Sequence, residues 1–321
     1  MLSRRHLRIK VLQALYAFFQ SMNDRIDVGE KELFKSINSI YEIYILQISF
    51  LVEISEFAKK RLGENKKKFF PTEEDLNPNM RFIDNQVIKQ ISENRDYKKY
   101  YDAYKINWVD EEDMIRKFYT GIRESADYQN YMSNDVNTYN DDKDILLKIL
   151  RKQVLKSESL QYFFEEKNIH WHDDFYTANM IAVKTIKHYK ESFDDSFKLP
   201  TLYKINEFDK IEEDKEFVKH LFRKTIVKSK EYETLIDGKV KNWEMERIAV
   251  MDVLLIKMAL VELLEFPSVP IKVSLNEYIE LAKMYSTPKS KVFINGILDK
   301  LIADLKEKKL IKKTGRGLME N

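Results

Sequence analysis

Apolar residues three and four apart recur along nearly all of this chain, and little interrupts them. Its 321 residues include only seven glycines and six prolines. Each proline (Pro71, Pro78, Pro200, Pro267, Pro270, Pro288) falls between periodic stretches, where it removes no helical hydrogen bond. Strand-like alternation bounded by turn dipeptides is scarce, so the pattern predicts an all-α fold. A hydrophobic fraction of 44% is enough for a buried core in one large or two ordinary domains.

The periodicity places the helices. Leu7, Val11, Leu15 and Phe18 form one stripe and predict a first helix over 4–20. Leu33, Ile37, Ile40, Tyr44, Ile48, Leu51, Ile54 and Ala58 predict a second over 30–62. Residues 65–198 are tyrosine-rich, with weaker helices expected near 79–104, 111–123, 143–166 and 174–189. The segment ESFDDSFKLPTLYK then reads as a linker. Residues 243–266 are apolar nearly all round, as suits a helix at the centre of a bundle. Ser274 and Glu277 fit a capping box, although Pro270 could start that helix a turn earlier. Thr287 followed by Pro288 fits a capped start for the last long helix, through Phe293, Ile297, Leu301 and Leu305. Residues 311–321 read as a frayed basic tail.

Composition limits the chemistry. No cysteine is present, which excludes disulfides, thiolate metal sites and cysteine nucleophiles and favours a reducing compartment. The sequence shows no uninterrupted apolar run long enough to cross a bilayer, so a soluble, cytoplasmic protein is expected. Net charge is only +2, but it is segregated: residues 71–145 carry 17 acidic against 10 basic side chains, leaving nine excess positive charges elsewhere. His170, His172 and Asp173 do not suggest a metal site, because residues two apart diverge on a helix and no further His or Cys is nearby. Glu111, Glu112 and Asp113 suit a helix start, where acids complement the dipole. Asn295 and Gly296 sit inside strong helical periodicity, where the glycine would serve close packing. No phosphate-binding glycine loop, nucleophile elbow or zinc motif is found. No cofactor or catalytic role is expected.

The opening RRHLRIKVLQALYAF is the anomaly. Arg4, Arg5, His6, Arg8 and Lys10 crowd a helix start, where each cation forgoes or opposes roughly 0.3–1 kcal/mol of dipole stabilisation. An anionic partner would offset this, and a simple solvated helix start is the bland reading. Arg5 and Arg8 fall within roughly 60° on a helical wheel, with Arg4 beside Arg8, so one ligand could meet them all. Guanidinium groups clamp phosphates and stack on bases, which suits single-stranded RNA. Gln13 and Tyr16 could extend that surface.

The segment NWEMERIAVMDVLLIKMALVELLEFPSVPIKVSLNEYIELAKMYSTPKSKVFINGILDKL strongly resembles the C-terminal half of the NusB family of transcription antitermination factors. The resemblance rests on A-L-x-E-L-L at Ala259 to Leu264, on V-P-x-K-V-x-x-N-E with E-L-A-K across Val269 to Lys283, and on F-[VI]-N-G-[VI]-L-D at Phe293 to Asp299. The opening stretch is similar to the family's arginine-rich first helix, where basic residues precede A-L-Q-A-L-Y. The resemblance covers residues 1 to about 25 and about 210 to 305. One departure stands out: the family often has an acid and a serine before F-[VI]-N-G, whereas Lys289, Ser290 and Lys291 stand here.

The resemblance implies a NusB-like helical bundle elaborated by additional helices: a core of 1–25 plus 203–310, to which helix 30–62 could belong, and a partly acidic helical insertion over 26–202. It implies RNA binding without catalysis. The expected ligand is boxA-like single-stranded RNA. The expected partners are a ribosomal protein, NusE, and the RNA polymerase antitermination complex, with homo-oligomers also compatible. Carried over by position, Arg4, Arg5 and Arg8 would contact RNA, with Gln13 nearby and Phe293 stacking, and Tyr16 and Asp252 would lie near the partner protein. Lys291, part of the departure, makes the neighbourhood more basic and would bind phosphate if it faces the arginines. Ribosomal RNA cytosine methyltransferases also carry NusB-like domains, but the Rossmann-type domain and catalytic cysteines they need are missing here. The other reading is a helical interaction module or ribosomal RNA maturation factor that kept the bundle without boxA binding.

Overall fold

The computed structural model describes residues 1–21, 24–134, 136–168, 171, 173–205, 212–240 and 248–319; His170, His172 and Trp243 lie outside them. Among the described residues there are fifteen α-helices and no strand. The chain divides into a middle unit, residues 38–202 with Met1, and a terminal unit, residues 2–37 and 203–321.

The terminal unit opens with α1 (Arg4–Gln20) and the first turns of α2 (Ile26–Asn65), which continues into the middle unit. One 18-residue window of α2 is apolar enough on average to cross a membrane, although polar residues interrupt it and it holds no unbroken apolar run of that length. Because 67% of that window is buried within the protein, α2 is accounted for as a core helix.

The middle unit adds α3 (Glu73–Leu76), α4 (Gln86–Glu93), α5 (Arg95–Ala103), α6 (Glu112–Glu124), α7 (Ala126–Ser133), α8 (Tyr139–Lys148), α9 (Glu158–Lys167) and α10 (Asp174–His188). The helix expected over 79–104 is split at Asn94. Its N–H closes α4 on Ile91 O and its Oδ1 accepts from Tyr97 N at 2.9 Å to start α5. The helix expected over 143–166 is likewise divided, by a π-helical turn at Ile149–Val154 and a new start at Ser157, which caps Leu160 N. Buried polar groups on α2 are met by other parts of the unit: Tyr44 pairs with Thr185 at 3.0 Å, and Ser49 accepts from Trp108 at 3.0 Å.

The terminal unit closes with α11 (Glu213–Val227), α12 (Ser229–Asp237), α13 (Val250–Glu265), α14 (Ile271–Tyr285) and α15 (Ser290–Glu307). Helix α13 sits at the centre, packed on α1, α11, α12, α14 and α15. Its side chains are buried from Leu254 to Leu263 on every face, as its all-round apolar sequence requires. Helix α14 starts after Pro270, not at Ser274, because Ser274 and Glu277 are engaged by other helices. Helix α15 starts at Ser290; Thr287 does not cap it, and instead Thr287 N donates to Ser290 Oγ at 3.2 Å.

The expected frayed tail is also corrected. Residues 313–319 dock on the turn after α13, where Thr314 N donates to Pro267 O at 3.0 Å and Lys313 Nζ donates to Phe266 O at 3.0 Å and Glu262 O at 3.2 Å. The last carbonyls of a helix have no intrahelical donor, and a lysine ammonium satisfies them well.

Candidate functional site

Ser3 caps α1 by accepting from His6 N at 3.1 Å, and no acid stands in the first turn. The carboxylates that balance its arginines come from elsewhere in the terminal unit. Arg8 is almost fully buried and makes a two-pronged contact with the buried Glu262 of α13, Nε to Oε2 at 2.8 Å and Nη2 to Oε1 at 2.7 Å. The same carboxylate accepts from Ser274 Oγ at 2.7 Å and from Tyr278 OH at 3.1 Å. Each Glu262 oxygen therefore takes two donors, the saturation that a buried charge needs.

Arg5 grips Glu277 of α14 in the same way, at 2.9 and 2.7 Å, and Arg8 Nη1 lies 3.5 Å from that carboxylate. Arg4 Nε meets Asp214 of α11 at 2.8 Å while its guanidinium lies 4.3 Å above the Phe217 ring. Burial opposes the Arg8 charge, but the hydrogen bonds and charge of Glu262 more than offset it and hold Arg8 above its ordinary pKa. Burial, reinforced by the Glu262 charge, pushes the Tyr278 phenol well up, so it stays a donor.

This corrects the premise that the helix-start cations await an external anion. The protein's own carboxylates offset all three arginines. The arginines still differ in what they leave open: the Arg8 side chain is 4% exposed, whereas those of Arg4 and Arg5 are 40% and 45% exposed. Arg4 and Arg5 edge an open groove of about 680 Å3, with Phe217, Val269, Pro270 and Val273 as its apolar surface and Arg316 and Met319 contributed by the docked tail.

The other expected site residues fall elsewhere. Phe293, half-buried on α15, lines a separate groove of about 690 Å3 with Val240, Val292, Gly296 and Lys300; it shares no residue with the arginine groove. The sequence reading grouped Phe293 with the arginines, and the structure does not bring them together. A Cβ on Gly296 would meet nothing within 4 Å, so this glycine leaves the groove open and serves no close packing. Lys291 is exposed on the first turn of α15, Gln13 is half-buried on α1, and Tyr16 is exposed. Asp252, expected near a partner protein, is 5% exposed, and its two oxygens accept from Ser286 Oγ at 2.5 Å and Ser290 Oγ at 2.8 Å. The carboxylate pins the α14–α15 junction, and burial leaves it no face for another chain.

Residues that sequence reasoning missed are the three carboxylates and Arg316. An acid set within the apolar run of α13, as Glu262 is between Val261 and Leu263, was the available signal for a buried cationic partner. Among the described residues no group of three or more His, Cys, Asp or Glu is placed to hold a metal ion.

Comparison with known proteins locates this unit among others. The sequence model of the NusB family matches residues 177–303, which takes in α11 to α14 and most of α15. Proteins named transcription antitermination protein NusB share 47% identity over 105 residues in Salinibacter ruber, 42% over 106 in Chloroherpeton thalassium and 40% over 92 in Geobacter sulfurreducens. These alignments cover 33%, 33% and 29% of this chain and 66%, 50% and 67% of the respective relatives, so the chain spans between half and two thirds of their length. No solved structure matches significantly. Helix α1 lies before the segment matched by the family model and joins it in the fold, through Glu262 and Glu277, which sit inside that segment. With its central helix, its Glu262 and its Glu277 all in the matched region, the chain belongs to the NusB family.

Proposed function

We propose that this protein is an RNA-binding transcription antitermination factor whose terminal unit grips single-stranded, boxA-type RNA at the arginine groove, together with the ribosomal protein NusE as part of the RNA polymerase antitermination complex. The work would be binding, not catalysis, carried out in the cytoplasm. The observation that carries the reading is the groove itself: two half-exposed guanidinium groups, held in fixed positions by carboxylates, beside an apolar strip of Val269, Pro270 and Val273. A guanidinium paired along one edge keeps other N–H groups for a phosphate, and the strip suits the face of a base. Arg8 is a positioning residue that locks α1 onto α13 and α14. Gln13 and Tyr16 lie roughly one to two turns beyond Arg8; Gln13 extends the RNA surface and Tyr16 offers an exposed ring to the partner protein. Lys291 and Phe293 form a second contact area, reached by a strand long enough to leave the arginine groove. The middle unit is an addition that boxA binding does not require.

The internal pairing of Arg4, Arg5 and Arg8 also favours a second reading, a bundle that kept its fold without boxA binding. One titration separates the two. Fluorescence anisotropy with a labelled boxA-type RNA, with and without NusE, is expected to show saturable binding that weakens with salt by about 0.7 log units per phosphate contacted. Absence of binding in both mixtures overturns the first reading in favour of the second.

A further inference from the structure

Three of the four arginines at the groove are balanced: Arg4 by Asp214, Arg5 by Glu277 and Arg8 by Glu262. The fourth, Arg316, is exposed and has no carboxylate partner among the described residues. The unbalanced positive charge of the groove therefore comes from the C-terminal segment, far from α1 in sequence.

The placement of that segment is built in. Lys313 satisfies the Glu262 and Phe266 carbonyls at the end of α13, and its partial burial lowers its pKa against the opposing pull of the Glu262 charge. Gly315 turns the chain at φ +53°, a left-handed conformation that glycine adopts without strain. Gly317 then presses on the next loop so closely that a Cβ would stand 1.9 Å from Pro267 O. Lys313 and the two glycines thus fix Arg316 and Met319 on the rim facing Arg4 and Arg5.

We propose that residues 313–319 form a docked arm that completes the RNA groove, with Arg316 supplying a phosphate contact and the arm closing one side of the path of the single strand. This rests on the RNA-binding reading above and adds the residue that supplies the groove's excess charge. Because Arg316 is exposed and unpaired, replacing it leaves the fold intact.

The test uses the full chain and a fluorescein-labelled, single-stranded boxA-type RNA, titrated at several salt concentrations. Arg316→Ala is expected to weaken binding severalfold and to flatten the log–log salt slope by about 0.7. Arg316→Lys is expected to keep that slope. Gly317→Ala leaves the charge in place but displaces the arm, so it is expected to weaken binding as Arg316→Ala does, while hydrogen exchange at 313–319 speeds up. Lys308→Ala, which removes one exposed positive charge outside the groove, is the control and is expected to leave binding nearly unchanged. If the wild type binds and either Arg316→Ala or Gly317→Ala binds equally well, the arm is overturned and the RNA-binding reading survives. If the wild type does not bind at all, both fall together.

Discussion

Glu262 is the residue on which the site turns, since four donors converge on its two oxygens from three side chains. Removing one partner of a buried pair leaves an uncompensated charge and costs about 3–5 kcal/mol, whereas an exposed pair contributes about 0–1 kcal/mol. Glu262→Gln is therefore expected to destabilise the terminal unit by about 3 kcal/mol. Glu277→Gln, which unpairs the half-exposed Arg5, is expected to cost less than about 1 kcal/mol. Native-state hydrogen exchange of the α13 amides reads both; equal effects would contradict the assignment of Glu262 as the buried anchor. Glu265, at the end of the same helix, faces Lys224 at 3.4 Å and Lys228 at 3.6 Å. Partial burial raises its pKa, but the two lysines outweigh this and hold it below the ordinary 4.5. A carboxylate lowered in the folded state adds stability that is complete above the unfolded value and lost as pH falls through the folded one. Unfolding midpoints of the wild type are thus expected to fall more steeply below about pH 4.5 than those of Glu265→Gln, whose parallel loss would contradict the pairing.

At the scale of elements, α13 holds its neighbours by three buried charges spaced five residues apart. Asp252 meets the serines of the α14–α15 junction, Lys257 meets Ser229 and Glu233 of α12, and Glu262 meets α1 and α14. Five residues turn a helix by about 140°, so the three point to three sides and fix the register of a helix whose apolar surface alone is nearly featureless. Glycines separate close packing from open space. A Cβ on Gly29 of α2 would stand 2.8 Å from Phe18 Cδ2 and 3.0 Å from Phe222 Cζ, so Gly29→Ala is expected to destabilise by about 1–3 kcal/mol. Gly296→Ala, with open space around it in a helix interior, is expected to stabilise by roughly 0.5–1 kcal/mol. Thermal unfolding of the two variants checks the contrast, and shifts of the same sign would contradict it.

These elements also show what was legible in the sequence. Helix α1 and the central position of α13 were readable because hydrophobic periodicity is local. The start of α14 stays open between Ser274 and Pro270 on sequence alone for the opposite reason: the capping-box spacing is right, yet Ser274 Oγ donates to Glu262, the acid that Arg8 holds, and Glu277 pairs with Arg5, 272 residues away. The clustering of the arginines was legible, but the carboxylates that neutralise them were not, since no local pattern marks a partner on another helix. The docked tail was hidden because glycine and lysine signal disorder until a packing partner, here Pro267, is known.

For the whole molecule, the acidic stretch over 71–145 belongs to the middle unit, while every residue of the arginine groove belongs to the terminal unit. The acidic stretch and the groove's arginines thus belong to different units, and a polyanion that meets the groove meets the terminal unit's cations. The central claim is that RNA lies along the groove edged by Arg4, Arg5 and Arg316. Photo-crosslinking of a boxA-type RNA to the full-length protein, with the attached peptides mapped by mass spectrometry, tests it most directly. The expected result is crosslinks concentrated at residues 3–8, 268–273 and 313–319; crosslinks confined to the Phe293 groove or to the middle unit would contradict it.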